Sequence, residues 1–335
     1  MPRPVGDQVV VITGASSGIG RETALEFGRR GASVVLAARN AEALAEVARQ
    51  VERAGGQALA VTADVAEWDQ VERIAEQAIE RFGRIDTWVN NAGIAVYATL
   101  EDTSPEEIDR VIRVNLVGEM YGSKAAVARM RPNRSGTIIN VASVLGERAV
   151  PLQAAYCASK HGVKGFSEAL RMEMQGHQTG IDVVAVFPSS MNTPLFEHAR
   201  SKLGVKPQPV APVYEPRVVA QAIVHAAERP QRNITVGGAG KALSVLQRVS
   251  EGALDRYMSQ GRRMEGQQKS ADPDDGRDNV FEASVGRGSV TGSFGRHSSS
   301  TSFYTTALEQ HPRRKALLGL AAAGAGLVLL RRLGR

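Results

Sequence analysis

Residues 8–20 read QVVVITGASSGIG, and this stretch decides the fold. The apolar run from Val9 to Ile12 is typical of a strand that a parallel sheet buries on both faces. Gly14, Gly18 and Gly20 follow it, and then a helical pattern that Gly31 is expected to end. This arrangement favours phosphate binding, because free N–H groups and the helix dipole both point at the turn. An ordinary strand-to-helix turn is the alternative.

The alternation of apolar runs and helical patterns continues along the chain. Further strand-like runs lie at Val34–Ala37, Ala58–Val61, Thr87–Val89, Thr137–Val141 and Val183–Phe187. Helical patterns lie at Ala41–Ala54, Trp68–Phe82, Pro105–Met130 and Ala154–Met174. This order predicts an α/β fold, a Rossmann-like doubly wound parallel sheet with helices on both faces. Ligands of such sheets bind beyond the carboxyl ends of the strands, so residues that follow strands should ring one cleft: Gly14, Asp64, Asn91, Ser143 and Pro188.

A second informative pattern is the pentapeptide Tyr156-Cys-Ala-Ser-Lys160. Residues four apart share one face of a helix, so the Lys160 ammonium is expected beside the Tyr156 phenol. A neighbouring cation favours the phenolate and should lower the tyrosine pKa from its ordinary value of about 10. The spacing is common by chance, and it gains meaning only together with the other motifs.

Together these motifs resemble the short-chain dehydrogenase/reductase (SDR) family over roughly residues 5–240. Thr13–Gly20 resembles the family's cofactor turn, and Asp64-Val65 resembles the pair that contacts adenine. Asn90–Gly93 resembles the family's N-N-A-G segment. The residues that resemble the catalytic tetrad are Asn115, Ser143, Tyr156 and Lys160.

The resemblance implies an oxidoreductase that interconverts a carbonyl and an alcohol by hydride transfer. Tyr156 would be the general acid/base, and Ser143 would hydrogen-bond the reacting oxygen. Lys160 would lower the tyrosine pKa and hold the nicotinamide ribose, while Asn115 would position a water. Hydride transfer needs no metal ion, and we expect none. The residues implied in cofactor binding are Gly14, Ser16, Ser17, Gly18, Ile19, Gly20, Arg39, Asp64, Val65, Asn91, Ala92, Gly93, Tyr156, Lys160, Pro188 and Thr193.

The segment after the sixth strand departs from the family pattern. The family commonly has Pro-Gly here, whereas this chain has Pro188-Ser189 and ends the turn in Thr193. Glycine permits a positive φ that a serine adopts only at a cost. The nicotinamide contacts of this loop are therefore in doubt, but the reaction is not.

The residues after the second strand bear on the choice of cofactor. Folds that select NAD usually place an acidic residue there, whereas an arginine accommodates the 2′-phosphate of NADP. Ala38 occupies the expected position of the acid, and Arg39 follows it. The guanidinium suits a phosphate in charge and geometry, so we expect NADP. A solvated surface arginine is the alternative.

Charge is unevenly distributed. The chain of 335 residues has a net charge of +6, and this excess lies wholly in residues 311–335. The part that resembles SDR enzymes is therefore not basic, which argues against nucleic acid as a partner. Cys157 is the only cysteine, and no N-terminal signal peptide is evident. Both observations favour a cytoplasmic protein.

The sequence divides into four parts. Residues 1–240 form the dinucleotide-binding catalytic domain, and 241–262 a helical extension. Residues 263–312 are rich in Gly, Ser and charged residues, which predicts a flexible arm. An arm that wraps the catalytic domain through Phe281, Phe294 and Phe303 is the alternative. Residues 313–335 form an apolar segment with basic flanks.

That last segment contains fifteen consecutive uncharged residues, Ala316–Leu330. A helix of this length spans about 22 Å, short of a hydrocarbon core of about 30 Å. The flanking cations favour an anionic surface. We expect attachment to the cytoplasmic face of a membrane, which would favour a lipophilic substrate. An apolar helix docked on the protein or on a partner subunit is the alternative.

Two other functions and the oligomeric state remain to be considered. A sugar-nucleotide epimerase or dehydratase of the longer SDR branch also uses Tyr and Lys, but its glycine turn normally has a different spacing. A non-catalytic cofactor-sensing scaffold should have a broken tetrad, and this tetrad is intact. Family members usually pair through the helices that correspond to Pro105–Met130 and Ala154–Met174, which implies a homodimer or homotetramer. The substrate, a small carbonyl or alcohol, is not identified by the sequence.

Overall fold

A computed structural model of the chain describes residues 2–240, 246, 250–295 and 298–310. Its centre is a parallel sheet of seven strands, in the order β11-β7-β6-β4-β1-β2-β3. The strands of this sheet are β1 (Val9–Thr13), β2 (Ser33–Ala38), β3 (Gln57–Thr62), β4 (Thr87–Asn90), β6 (Gly136–Val141), β7 (Ile181–Pro188) and β11 (Asn233–Val236). Three pairs of short strands lie outside it: β5 (Val96–Tyr97) with β8 (Arg200–Ser201), β9 (Val205–Pro207) with β12 (Lys269–Pro273), and β10 (Val213–Tyr214) with β13 (Ser298–Ser299).

Helices cover both faces of the sheet, as the alternating pattern predicted. The described helices are α1 (Gly18–Arg29), α2 (Ala41–Arg53), α3 (Trp68–Phe82), α4 (Pro105–Ile112), α5 (Gly118–Met130), α6 (Ala154–Gly176), α7 (Leu195–His198), α8 (Pro216–Glu228), α9 (Glu251–Ser259) and α10 (Arg263–Gln267). One apolar layer joins α1, α2 and α8 to the sheet, and the other joins α3, α5 and α6 to it. β1 is buried along its whole length, because alternate side chains enter the two layers.

The predicted helix Pro105–Met130 is divided in two. It begins at Ser104, whose side chain and that of Glu107 form a capping box, with Pro105 in the first turn. Between α4 and α5 the chain makes a π-helical turn over Arg113–Val117. Such turns insert one residue per turn and are frequent at functional sites. Asn115 lies within this one.

Residues 263–295 and 298–310, here called the C-terminal arm, pack against the sheet domain. This corresponds to the alternative of a wrapping arm, but the aromatic side chains are not its main anchors. Phe303 is 83% exposed and Phe281 is 44% exposed, whereas Val280 is fully buried. Phe294 packs edge-on against Phe196, with 5.8 Å between ring centroids. Most of the hydrogen bonds between the arm and the sheet domain use backbone atoms of the arm.

Two sequence predictions fall partly or wholly outside the described residues. The helical extension 241–262 is represented by α9, which begins at residue 251. The apolar segment Ala316–Leu330 lies entirely outside them. Within the part of the chain that the structure describes, no helix is long and apolar enough to cross a membrane.

Candidate active site

A cavity of about 740 Å³ lies at the carboxyl ends of the central strands. The structure brings together here all of the predicted site residues except Gly20 and Asn115. Those that line the cavity are Gly14, Ser16, Ser17, Gly18, Ile19, Arg39, Asp64, Val65, Asn91, Ala92, Gly93, Ser143, Tyr156, Lys160, Pro188 and Thr193. Its volume lies within the usual range of about 300–1,000 Å³ for cofactor and ligand sites.

The glycine turn between β1 and α1 leaves no room for larger residues. Gly14 has a φ of +67°, and a Cβ there would meet the Cα of Ala92 at 2.8 Å. A Cβ on Gly20 would lie 2.2 Å from the carbonyl oxygen of Gly14. Gly20 therefore closes the turn instead of lining the cavity. Gly14 and Gly18 border the cavity without a side chain in the way, which permits close approach of a phosphate.

The turn is held from the other side by the segment that follows β4. The Asn91 side chain donates to the carbonyl oxygen of Thr13 at 3.0 Å. The backbone N–H groups of Asn91 and Ala92 both donate to the Thr13 hydroxyl, at 3.0 and 3.2 Å. These contacts explain why Asn91, Ala92 and the glycine turn form one wall.

Tyr156 projects into the cavity from the first turn of α6. Burial raises the pKa of its phenol, while the Lys160 ammonium and a hydrogen bond with Ser143 act in the opposite direction. Lys160 lowers the Tyr156 pKa, as the Tyr-Lys spacing predicted, but the net direction is upward. Desolvation of the phenolate outweighs the attraction of the neighbouring cation, although the tyrosine side chain is only partly buried.

Lys160 has a partner that the sequence motifs did not indicate. Its ammonium donates to the carbonyl oxygen of Val141 at 2.7 Å and to Oε1 of Glu119 at 3.0 Å. Both side chains of this ion pair are buried, with exposures of 4% for Lys160 and 2% for Glu119. Burial raises the pKa of the Glu119 carboxyl to about 7, although the Lys160 charge opposes that effect.

Asn115 lies beside this group but does not line the cavity. Its side-chain oxygen accepts from the N–H of Ile94 at 2.8 Å, and its amide donates to the carbonyl oxygen of Ile94 at 2.9 Å. The amide also lies 3.3 Å from the hydroxyl of Ser159 on α6. Asn115 therefore connects the π-helical turn to the strand-four loop and to the helix that carries Tyr156.

Arg39 lies at the end of β2, as predicted, but its donors contact the C-terminal arm. The guanidinium donates to the carbonyl oxygen of Phe281 at 3.0 Å and to that of Asn279. Arg110 donates to the Val280 carbonyl at 2.9 Å and pairs with Asp64 at 2.5 Å. The same segment of the arm thus lies over the two positions expected to contact the adenosine half of a dinucleotide.

The arm continues along the glycine turn. The N–H of Gly18 donates to the carbonyl oxygen of Ser289 at 2.9 Å. Arg21 donates to the carbonyl oxygens of Arg287 and Gly288, at 2.7 and 2.8 Å. The cavity persists beneath these contacts, and Asn279, Ala283 and Ser284 of the arm line it. The arm therefore covers the cleft without filling it.

The loop after β7 accommodates its serine without strain. Ser189 has no positive φ, and its hydroxyl donates to the carbonyl oxygen of Val236 at 2.6 Å. Gly237 makes the room, because a Cβ there would lie 1.8 Å from the Ser189 hydroxyl oxygen. The departure from the usual Pro-Gly pair is thus compensated by a glycine that directly follows the neighbouring strand β11.

The part of the cavity beyond Tyr156 and Ser143 is mostly apolar. The side chains that line it come from several loops, from α7 and from the C-terminal helices. They include Tyr97, Leu145, Val150, Leu195, Phe196, Val210, Pro212, Leu254, Tyr257, Met258 and Met264. The polar residues here include Gln153 and Gln268, whose side chains bond each other at 2.7 Å. An apolar wall of this kind suits an apolar molecule with one polar group.

Comparison with known proteins agrees with this arrangement. The sequence model of the family described as short chain dehydrogenase matches residues 8–204. The chain belongs to this family. As a member of the SDR family it is an oxidoreductase of a class that generally depends on NAD or NADP.

Among its relatives, an uncharacterized oxidoreductase of Bacillus subtilis, YxnA, is 41% identical over 254 residues, which cover 75% of this chain and 71% of the relative. The bovine dehydrogenase/reductase SDR family member 7B is 34% identical, over 79% of this chain and 84% of that protein.

Solved structures show the same likeness. An alcohol dehydrogenase of Thermococcus sibiricus, solved as a complex with 5-hydroxy-NADP, has a TM-score of 0.59 and 26% identity. That likeness covers 68% of this SDR chain and 95% of the archaeal one. A short-chain dehydrogenase/reductase of Mycobacterium marinum has a TM-score of 0.62 and 30% identity, over 70% and 95% of the two chains.

Sequence reasoning missed two parts of the site. Glu119 was not singled out, although an acidic residue four positions after Asn115, among small and apolar helix residues, was a visible signal. The arm residues 279–289 were also missed. Their contacts are mostly made by carbonyl oxygens, which every residue type carries, so no sequence pattern could have indicated them.

Proposed function

We propose that this SDR enzyme reduces a carbonyl to an alcohol with NADPH, or catalyses the reverse reaction. The observation that carries the proposal is that Tyr156, Ser143 and Lys160 line the same cavity as the glycine turn. The test is oxidation of NADPH measured against a panel of aldehydes, ketones, steroids, retinoids and 3-oxoacyl thioesters. A protein that binds the cofactor but turns over none of these would contradict the proposal.

The chain's own residues have separable roles in this reaction. The cofactor held by the glycine turn and by Asn91–Gly93 would supply or accept the hydride. Tyr156 protonates the carbonyl oxygen during reduction and removes the proton in the reverse direction. The Ser143 hydroxyl stabilises the charge that develops on the same oxygen. Lys160 acts electrostatically on Tyr156, and Asn115 acts as a positioning residue through Ile94 and Ser159.

The cofactor proposed is NADP, held by the glycine turn, by Asp64-Val65 and by Asn91–Gly93. Two features of this chain support the choice: Arg39 lies at the end of β2, and position 38 carries an alanine instead of an acidic residue. The archaeal relative was solved with an NADP analogue. Arg39 already donates to the arm. Its guanidinium has five N–H donors, so it can bind a 2′-phosphate without releasing both arm carbonyls.

We predict that Arg39→Ala lowers the ratio of kcat/KM for NADPH to that for NADH by about tenfold or more. A charge-assisted hydrogen bond contributes about 1.5–3 kcal/mol, and only NADPH carries the phosphate. Steady-state kinetics with both cofactors measures the ratio. Arg21→Ala is the matched control, because it removes hydrogen bonds to the arm near the glycine turn but removes no proposed contact with the 2′-phosphate. An unchanged ratio in Arg39→Ala would show that Arg39 serves only to hold the arm.

The substrate proposed is lipophilic, on the basis of the apolar lining beyond Tyr156. The basic, apolar segment at 313–335 supports a location at the cytoplasmic face of a membrane, a proposal that rests on sequence alone. Fractionation of the full chain in low salt tests it, and recovery wholly in the soluble fraction would refute it.

We also predict a homodimer or homotetramer, formed through α5 and α6. The partly buried side chains of Met120, Val127 and Phe166 on these helices line a small surface pocket together with the buried Leu170. Long apolar stripes on helices that already contact the sheet are consistent with burial on a second side. Light scattering on the full chain at micromolar concentration measures the mass. A monomeric mass would exclude the pairing.

A further inference from the structure

Glu119 has an environment that structural stability does not explain. Its Oε1 accepts from Lys160 at 3.0 Å, but its Oε2 is buried and has no hydrogen-bond partner among the described residues. Buried ion pairs generally contribute little to stability, because desolvation of both charges offsets their attraction. A carboxylate with one oxygen unsatisfied is less favourable still. The effect of this charge on the neighbouring groups is the more informative property.

The position of Glu119 is fixed by close packing on both sides. A Cβ on Gly118 would meet the side chain of Val65 at 2.8 Å, and one on Gly122 would lie 2.0 Å from Oδ1 of Asn90. The Asn90 amide donates to the backbone carbonyl of Glu119 at 3.1 Å. The start of α5 is therefore packed directly against Val65 and Asn90, and the hydrogen bond from Asn90 holds the backbone of Glu119 in place.

The titratable groups that interact with Glu119 in the described structure are Lys160 and Tyr156, both on α6. β4 and β6 present only neutral partners to this pair, the Asn90 amide and the Val141 carbonyl. On α3, which also packs against α5, Glu72 is paired with Arg129 at the far end of α5. Glu119, Lys160 and Tyr156 thus form a triad of one acid, one cation and one phenol. The Cys157 thiol and the Tyr97 phenol are further titratable groups that interact with Tyr156.

The net charge of this triad depends on the proton of Tyr156. With the phenol protonated, the Lys160 and Glu119 charges cancel. With the phenolate formed, the triad carries a net negative charge in a buried site, which is unfavourable. Burial is the main cause of the upward shift of the Tyr156 pKa, and Cys157 and then Glu119 add smaller contributions in the same direction. Without the carboxylate, Lys160 would favour the phenolate with its full charge.

We propose that Glu119 is a positioning residue that offsets the charge of Lys160 and so keeps Tyr156 protonated, in the acid form that carbonyl reduction needs. The inference rests on the proposed function, because it assigns Tyr156 as the acid. It explains why a buried, half-satisfied carboxylate lies at Lys160. It also implies that the enzyme is set for reduction by a residue outside the four that resemble the catalytic tetrad.

The test is the pH dependence of Glu119→Gln. The glutamine keeps the shape and the acceptor oxygen for Lys160 but removes the charge. The rate of carbonyl reduction should fall at high pH, and the rate of alcohol oxidation should rise. We expect the midpoints of both changes to move to lower pH by about one unit or more. Glu119→Asp keeps the charge at a greater distance from Lys160 and should give a smaller shift in the same direction. This second variant decides the matter if Glu119→Gln does not fold.

Glu107→Gln is the matched control. Glu107 is a buried glutamate on α4 that pairs with Lys202 and Arg200 and does not line the cavity. Loss of its charge should therefore leave the pH dependence of reduction and of oxidation unchanged. Unshifted midpoints in the Glu119 variants, or an equal shift in Glu107→Gln, would overturn the proposal. The phenolate absorbance of Tyr156, taken as the difference from a matching Tyr156→Phe protein, gives the same pH midpoint without substrate. The inference can therefore be judged even if no substrate is turned over.

Discussion

Tyr156→Phe is expected to reduce turnover by at least 10²–10⁴-fold, the usual contribution of a positioned acid or base. The ring and its packing remain, and only the proton donor is lost. NADPH binding should stay within about threefold of the wild type, because the glycine turn and the arm are unchanged. Single-turnover reduction and a separate fluorescence titration of NADPH measure the two effects.

The control for this variant is Tyr121→Phe. Tyr121 lies on α5, packs edge-on against Trp68 and does not line the cavity. The same atom is removed, but activity should remain close to that of the wild type. If Tyr156→Phe keeps activity within threefold, another group supplies the proton and the mechanism proposed above is wrong.

The second large effect is expected from Val280→Lys in the C-terminal arm. Val280 is fully buried within the apolar layer that includes Val65 and Ile94. A lysine there would place an ammonium in that layer, beside the guanidinium groups of Arg39 and Arg110. Burial of an unpaired charge costs several kcal/mol, so the arm should detach from the cleft instead. We expect the Kd for NADPH to rise by about tenfold, or about 1.4 kcal/mol.

Val285→Lys provides the control, since Val285 belongs to the same arm but is 99% exposed. Calorimetry gives the two affinities, and limited proteolysis reports whether the arm is released. Wild-type affinity in a Val280→Lys protein with a released arm would show that the arm is no part of the cofactor site. Tighter binding would show that the arm competes with the cofactor.

Six of the seven strands of the central sheet were predicted, because they are apolar runs, whereas β11 was not predicted. Val9–Ile12 and Val34–Ala37 are continuous apolar runs, and the structure extends each by only one or two residues. Their order follows from the alternation with helices, since parallel strands need crossover connections. The cleft was predictable for the same reason, because the carboxyl ends of the strands meet at one edge of the sheet.

The parts that sequence did not predict depend on interactions without a periodic pattern. The π-helical turn at Arg113–Val117 keeps helical composition, so a single helix fits the pattern equally well. The pKa of Tyr156 depends on depth of burial and on Glu119, neither of which the Tyr-Lys spacing reports. The course of the arm depends on backbone carbonyls that meet Arg39, Asn40 and Arg21.

The covering of the cleft by the arm has a consequence for the order in which the protein is made. Arg39 and Val280 are separated by 241 positions in the chain, and Arg21 and Arg287 by 266. At a synthesis rate of about 5–20 residues per second, roughly 10–50 s pass between the emergence of the two walls of the cleft. The sheet can form in that interval, but the dinucleotide groove stays open to solvent until the last part of the chain arrives. Completion of the cofactor site is thus a late step that waits for the arm, and a nascent chain that has not yet reached residue 279 leaves the groove uncovered.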